Sequence, residues 1–132
     1  MRRVLADTNL LIAAVGWPHG VPAQALWRIL NEERLVLTTY IIDEFLDVIE
    51  RKFPAQREAA QALLDDLDYE LLPVATSGVA MRDEKDQPIL DAAIAASVDV
   101  IVTGDKDFHA LAIAIPSILT PRQYLDEPAP LV

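Results

Sequence analysis

Asp99-Val100-Ile101-Val102-Thr103-Gly104-Asp105-Lys106-Asp107 is the stretch on which the reading of the fold turns. Its three consecutive β-branched apolar residues leave no polar face. The strand Asp99 to Thr103 is therefore suited to burial on both sides, as in the middle of a parallel sheet covered by helices. Gly104 to Asp107 breaks the run as a turn into a short helix, read as Phe108 to Leu111. Upstream, Ile89 to Ser97 is alanine-rich and helical, with Pro88 well suited to its start. Helix, buried strand, turn and helix in that order form an α/β unit.

The same alternation extends outward from this unit. Arg3 to Ala6 is a short apolar strand ending at Asp7-Thr8-Asn9, and a helix follows from Leu10 to Val15. Trp17 to Pro22 is dense in breakers and reads as a loop. Ala23 to Glu32 is helical, Leu35 to Leu37 is a second strand, and Thr38 or Thr39 can cap a helix from Tyr40 to Lys52. Ala55 to Asp66 is a further helix, Tyr69 to Leu72 a third strand and Ser117 to Leu119 an edge strand. Ala75 to Gln87 is the one long irregular segment. The expected architecture is an α/β fold with a parallel sheet of four to five strands. At 132 residues the chain suits one domain with its own core, expected over 1–125, followed by a tail at 126–132.

Composition removes whole classes of chemistry. There is no cysteine, which excludes disulfide frameworks, thiol nucleophiles and thiolate-bound zinc. The two histidines, His19 and His109, are too few for a histidine-rich metal site and read as surface or loop residues. Trp17 and Trp27 read as packing residues. No apolar run approaches the roughly 18 residues of a membrane span. Met1-Arg2-Arg3 leads straight into the first strand without a leader-like apolar stretch, so a cytoplasmic protein is expected. Eleven Lys and Arg face 21 Asp and Glu, a formal net charge of −10. That balance argues against a regulator that grips DNA through phosphate neutralisation. It is compatible with an enzyme whose carboxylates hold cations that in turn meet phosphate.

Open parallel sheets carry functional groups at the carboxyl ends of their strands. Asp7 follows the first strand and Asp105 the fourth, with Asp107 just beyond; each could equally be a helix cap or a turn residue. In the helix Tyr40 to Lys52, Asp43, Asp47 and Glu50 fall opposite the apolar stripe. Glu44 falls at its border, where it can reach solvent or turn inward. A further acid lies at the start of the Pro88 helix, either Asp86 or, one turn further in, Asp91. Acids converging on one crevice would repel each other unless cations sat between them, and Mg²⁺ or Mn²⁺ suits such oxygen-only donors. Paired ions of that kind support phosphodiester hydrolysis without a nucleophilic side chain.

These residues resemble a known family. Val4-Leu5-Ala6-Asp7-Thr8-Asn9-Leu10-Leu11, Glu44 in its helix, Asp83-Glu84-Lys85-Asp86 and Val102-Thr103-Gly104-Asp105-Lys106-Asp107-Phe108 together look like a PIN domain. They look most like the bacterial branch of toxin components of toxin–antitoxin systems. The resemblance spans Val4 to about Leu125. It implies a three-layer α/β/α sandwich and a metal-dependent ribonuclease acting on RNA, with Mg²⁺ or Mn²⁺ as cofactor. Asp7, Glu44, Asp86 and Asp105 match the family's acidic constellation, and Asp107 accompanies it. Asn9 and Thr103 match polar positions that line or brace the site. One departure stands out: Gln87 occupies a position where this branch often has a second acid, which keeps Asp91 open as the third acid.

The resemblance also implies an antitoxin partner and a homodimer, with the helices Ala23 to Leu30 and Ala59 to Leu67 as candidate faces. Lys85, Lys106, Arg82, Arg51 and Lys52 lie nearest the acids in sequence and are the candidates for RNA contact. Two other readings compete. A non-enzymatic binding module of the same fold would place too few ligands correctly. A phosphatase- or receiver-like phosphotransfer domain would need a second acid near Asp7, where Asn9 stands, or an acid after the third strand, where Leu72-Pro73-Val74 offers none.

Overall fold

The computed structural model describes residues 1–128. Five strands form one all-parallel sheet: β1 (Arg3–Ala6), β2 (Arg34–Thr38), β3 (Glu70–Leu72), β4 (Val100–Val102) and β5 (Ser117–Leu119). Their spatial order is β3-β2-β1-β4-β5. The central strands β1 and β4 pair in register Val4↔Val100, Leu5↔Ile101 and Ala6↔Val102, and all six side chains are buried. This is the α/β architecture expected from the apolar run at Val100 to Val102.

Among the described residues, seven α-helices connect and flank the strands: α1 (Thr8–Gly16), α2 (Val21–Glu32), α3 (Thr39–Lys52), α4 (Arg57–Asp66), α5 (Gln87–Ala95), α6 (Lys106–His109) and α7 (Pro121–Asp126). Strand order runs outward through β2 and β3, then returns to β4 on the other side of β1. Right-handed crossovers therefore put α1 to α4 on one face and α5 and α6 on the other, making a sandwich of three layers. The reversal leaves a crevice at the carboxyl ends of β1 and β4, the switch point at which open α/β sheets bind ligands. No helix among the described residues is long and apolar enough to cross a membrane.

Several local features differ from the sequence expectation, each for a visible reason. The helix expected over Ile89 to Ser97 begins two residues earlier, and Ser97 stands beyond its end in the left-handed region with φ 55°. The helix expected over Phe108 to Leu111 starts at Lys106, because the Asp105 carboxylate accepts from the Asp107 N–H and caps it. Helix α7 was not anticipated, although Thr120-Pro121-Arg122-Gln123 carries a full capping box. Arg28 fastens its end by donating to the carbonyls of Tyr124 and Leu125. Buried Glu33 accepts from the Tyr124 hydroxyl and from Arg2. Arg2 also pairs with Glu127 at 3.0 Å, and residues 129–132 of the expected tail lie outside the described residues.

Trp17 is not a core residue. It is 59% exposed and meets Phe53 edge-on at 6.1 Å between ring centroids. Trp27, in contrast, packs partly buried against the core, as expected.

Candidate active site

The crevice at the switch point is a polar cleft of about 250 Å³. Asp7 reaches it because its backbone N–H extends the β1–β4 ladder to the Val102 carbonyl at 3.1 Å. It occupies the N-cap position of α1 without making a side-chain cap. Its Oδ2 instead accepts from the hydroxyl of fully buried Thr103 at 2.7 Å. The same hydroxyl oxygen accepts from the Asp105 N–H at 3.0 Å, so one threonine braces both acids. His109, exposed on α6, brings Nε2 to 2.7 Å from the Thr103 carbonyl oxygen.

Glu44 arrives from α3, whose first turn is fixed by the Thr38 hydroxyl accepting from the Ile41 N–H. Its position at the stripe's border puts it half-buried, and it turns inward, where Oε1 accepts from the Thr8 hydroxyl at 2.5 Å. Asp43, Asp47 and Glu50 are exposed. Asp86 sits at the N-cap position of α5, again without capping it. Asp7, Glu44, Asp86 and Asp105 thus line one cleft, although they come from four separate segments of the chain.

A fifth carboxylate joins them that the sequence reading did not single out. Asp83, Asp86 and Asp105 each offer an oxygen, and these oxygens lie within 4.8 Å of one another. Asp83 is held by a tight turn in which its Oδ1 accepts from the Lys85 N–H and its carbonyl accepts from the Asp86 N–H. The Asp-x-x-Asp spacing was the available signal, since a turn brings its first and fourth residues together.

The electrostatics follow from this crowding. Burial pushes the Asp7 carboxyl above its ordinary range; the bonds from Thr103 and the Thr8 backbone oppose this, and the charges of Glu44 and Asp105 add to it. The Asp86 carboxyl is pushed up to about 8, first by burial and then by its hydrogen bond with Asp105 and the charges of Asp105, Asp7 and Asp83. Tyr40, on the rim, has its phenol raised by burial and by the charges of Glu44, Asp86 and Asp83. One ammonium, that of Lys85, lines the cleft against five carboxylates. Oxygen-only donors under mutual repulsion, some partly buried, form a donor set that fits a hard divalent cation such as Mg²⁺ or Mn²⁺.

Other candidates fall elsewhere. Asn9 lines the cleft, but it is exposed. Asp107 is not among the lining residues, and its contribution is the backbone N–H it gives to Asp105. Asp91 does not reach the cleft either: its Oδ1 accepts from the Ser77 hydroxyl and the Gln87 amide, and the Ser77 bond leads in holding its pKa down. Lys106, Arg82 and Lys52 are exposed and do not line it.

Gln87 has a different task. Its amide donates to the Val79 carbonyl and to Asp91, and its carbonyl accepts from the Met81 N–H. The long irregular segment is thereby pinned to the first turn of α5, next to Asp86. An acid here could not donate to Val79 and would face Asp91. Gln87→Glu is therefore expected to lower unfolding free energy by about 2 kcal/mol, read from urea denaturation at neutral pH. An unchanged midpoint would show that the pin carries no stability.

A family model described as the PIN domain matches residues 3–107. The chain is also similar to a chain in the crystal structure of VapBC2 from Rickettsia felis bound to a DNA fragment from their promoter. That match has a TM-score of 0.64 at 14% identity, and it covers 89% of this chain and 96% of the other. At that identity the likeness concerns the fold alone. No curated protein sequence matches the chain.

Proposed function

The chain belongs to the PIN domain family, and on that premise we propose that it is a divalent-metal-dependent endoribonuclease, the toxin of a toxin–antitoxin pair. One observation carries the reading: carboxylates from four distant segments meet in a single cleft at the switch point of the sheet. Fold likeness to a chain of VapBC2 supports the toxin–antitoxin assignment, and with it an antitoxin partner; a homodimer is part of the same proposal.

Asp7, Glu44, Asp86 and Asp105, joined by Asp83, would hold Mg²⁺ or Mn²⁺. When bound, such ions lower the pKa of water and offset the charge that builds on a phosphodiester. The chain's own part is preorganisation. Thr103 fixes Asp7 directly and Asp105 through its backbone, Thr8 fixes Glu44, and the Asp83 turn fixes Asp86. Lys85 supplies a positive group for a phosphate oxygen at the edge of the cleft. In the net reaction a water oxygen bonds to phosphorus and one P–O ester bond breaks, leaving a phosphomonoester and a hydroxyl.

The purified protein is expected to cut strands in a mixed RNA pool with Mn²⁺ or Mg²⁺ and to stop in EDTA. Cutting that persists undiminished in EDTA, or no cutting together with no metal-induced rise in melting temperature, would overturn the reading.

A further inference from the structure

The cleft does not end at the carboxylates. Glu44 and Val48, which wall it, also line a second, open hollow of about 320 Å³ on one face of α3, together with Tyr40, Asp43, Asp47 and Arg51. We propose that this second hollow is a subsite for an unpaired nucleotide of the substrate strand, its base stacked on the Tyr40 ring and its phosphate met by Arg51. The proposal rests on the nuclease reading and adds where the strand runs.

Three features support it. First, the two concavities are contiguous through shared walls, so a chain passing the carboxylates enters the second without leaving the surface. Second, Tyr40 is half-buried and packs against the core, which holds the ring as a firm platform. Tyr40 shares the second hollow with Glu44, which also lines the carboxylate cleft, so it borders that cleft. Every base has a π-face, and such a platform takes unpaired bases of any identity.

Third, the cation is in a usable place. Arg51 leans back along α3 to Asp47, with Nε 2.9 Å from Oδ2. This puts the guanidinium roughly 10 Å of helix rise from Tyr40, a span that one nucleotide and its neighbouring phosphate can bridge. The Arg51–Asp47 pair is more than half exposed on both sides and is weak, so a phosphate can compete for the arginine. In a chain of net charge −10, a polyanion needs cations placed locally; Lys85 lies in one concavity, and Arg51 lies in the next beside Asp43, Glu44 and Asp47. Asp43 adds an acceptor for a ribose hydroxyl or a base amine.

The test is fluorescence anisotropy of a labelled single-stranded oligouridylate on the full chain, with Ca²⁺ present to keep the strand uncut. An abasic strand of equal length and an RNA duplex form parallel arms. Tyr40→Ala is expected to weaken oligouridylate binding about tenfold. Tyr40→Leu, which keeps apolar packing, should do the same at unchanged melting temperature, and Tyr40→Phe should bind as the native chain does. The abasic strand and the duplex should be indifferent to all three changes. Arg51→Ala should lower the slope of log affinity against log salt by about one unit, whereas Arg57→Ala, on α4, should not. Equal binding by the native chain and Tyr40→Leu, or native affinity for the abasic strand equal to that for oligouridylate, overturns the subsite and leaves the nuclease reading standing. No binding of any strand by the native chain overturns both.

Discussion

Asp7→Asn is expected to lose metal-dependent RNA cleavage by about a thousandfold or more, equivalent to roughly 4 kcal/mol of barrier. The same protein should melt no lower than the native chain in the absence of metal. Both halves follow from the surroundings of Asp7. Asp7 is 7% exposed, and its carboxylate accepts from the Thr103 hydroxyl, a bond that the amide oxygen of asparagine can also accept. Burial, with the nearby charges of Glu44 and Asp105, makes the ionised form unfavourable in the folded chain. A neutral isostere relieves that penalty and keeps the shape, so stability holds or rises. A neutral amide is a poorer ligand for a hard cation, so the rate falls. The checks are single-turnover cleavage of an RNA pool in Mn²⁺ and a melting curve in EDTA. Native-rate cleavage by the mutant would remove Asp7 from the mechanism. Collapse of the mutant fold would sink the argument from shape.

Why some of this was legible in the sequence, and some not, comes down to what each signal encodes. The runs Val100-Ile101-Val102 and Val4-Leu5-Ala6 report burial on both faces, and the two strands are indeed neighbours at the centre of the sheet. Strand order itself was not legible, because apolar periodicity does not say which strands pair. Asp7 and Asp105 were accessible as strand-end acids, and Glu44 as a residue on the border of an apolar stripe, but no wheel could tell which way Glu44 turns. The contact with Thr8, thirty-six residues away, decides that. Asp86 at the start of the helix and Asp91 one turn further in were both open as the third acid, and the side chains of Ser77 and Gln87 separate them by engaging Asp91. Asp83 hid in a segment without periodicity, where only turn spacing carries information. Trp17 misled because an indole after a helix usually packs inward, whereas here it walls an exposed apolar hollow with Phe53, Ile12 and Ile49.

The metal-free protein is expected to melt higher at pH 5.5 than at pH 8.5, and a divalent cation should reverse that order. The sign comes from Asp86. Its folded pKa of about 8 lies above the ordinary value of 3.8, so the folded state holds a proton that the unfolded chain gives up. Its favourable contribution is complete below about pH 4 and is lost as pH rises through 8. The oppositely shifted acids Glu70 and Asp91, held below their usual range by Arg3 and by Ser77, lose their contribution only at lower pH, outside the interval compared. Because neighbouring carboxylates share the proton with Asp86, the swing is expected to be about 2 kcal/mol, or roughly 6 to 10 °C for a chain of this size. Mn²⁺ competes with that proton, and at a hundred times its dissociation constant it would add about 2.7 kcal/mol, most fully at the higher pH. Asp86→Asn separates the two effects. It should flatten the metal-free pH dependence by raising the melting temperature at pH 8.5, and it should remove most of the gain from Mn²⁺. If the metal-free slope of Asp86→Asn matches that of the native chain, the proton sits elsewhere in the carboxylate cluster. If Mn²⁺ stabilises Asp86→Asn as strongly as the native chain, Asp86 is not one of the residues that hold the cation.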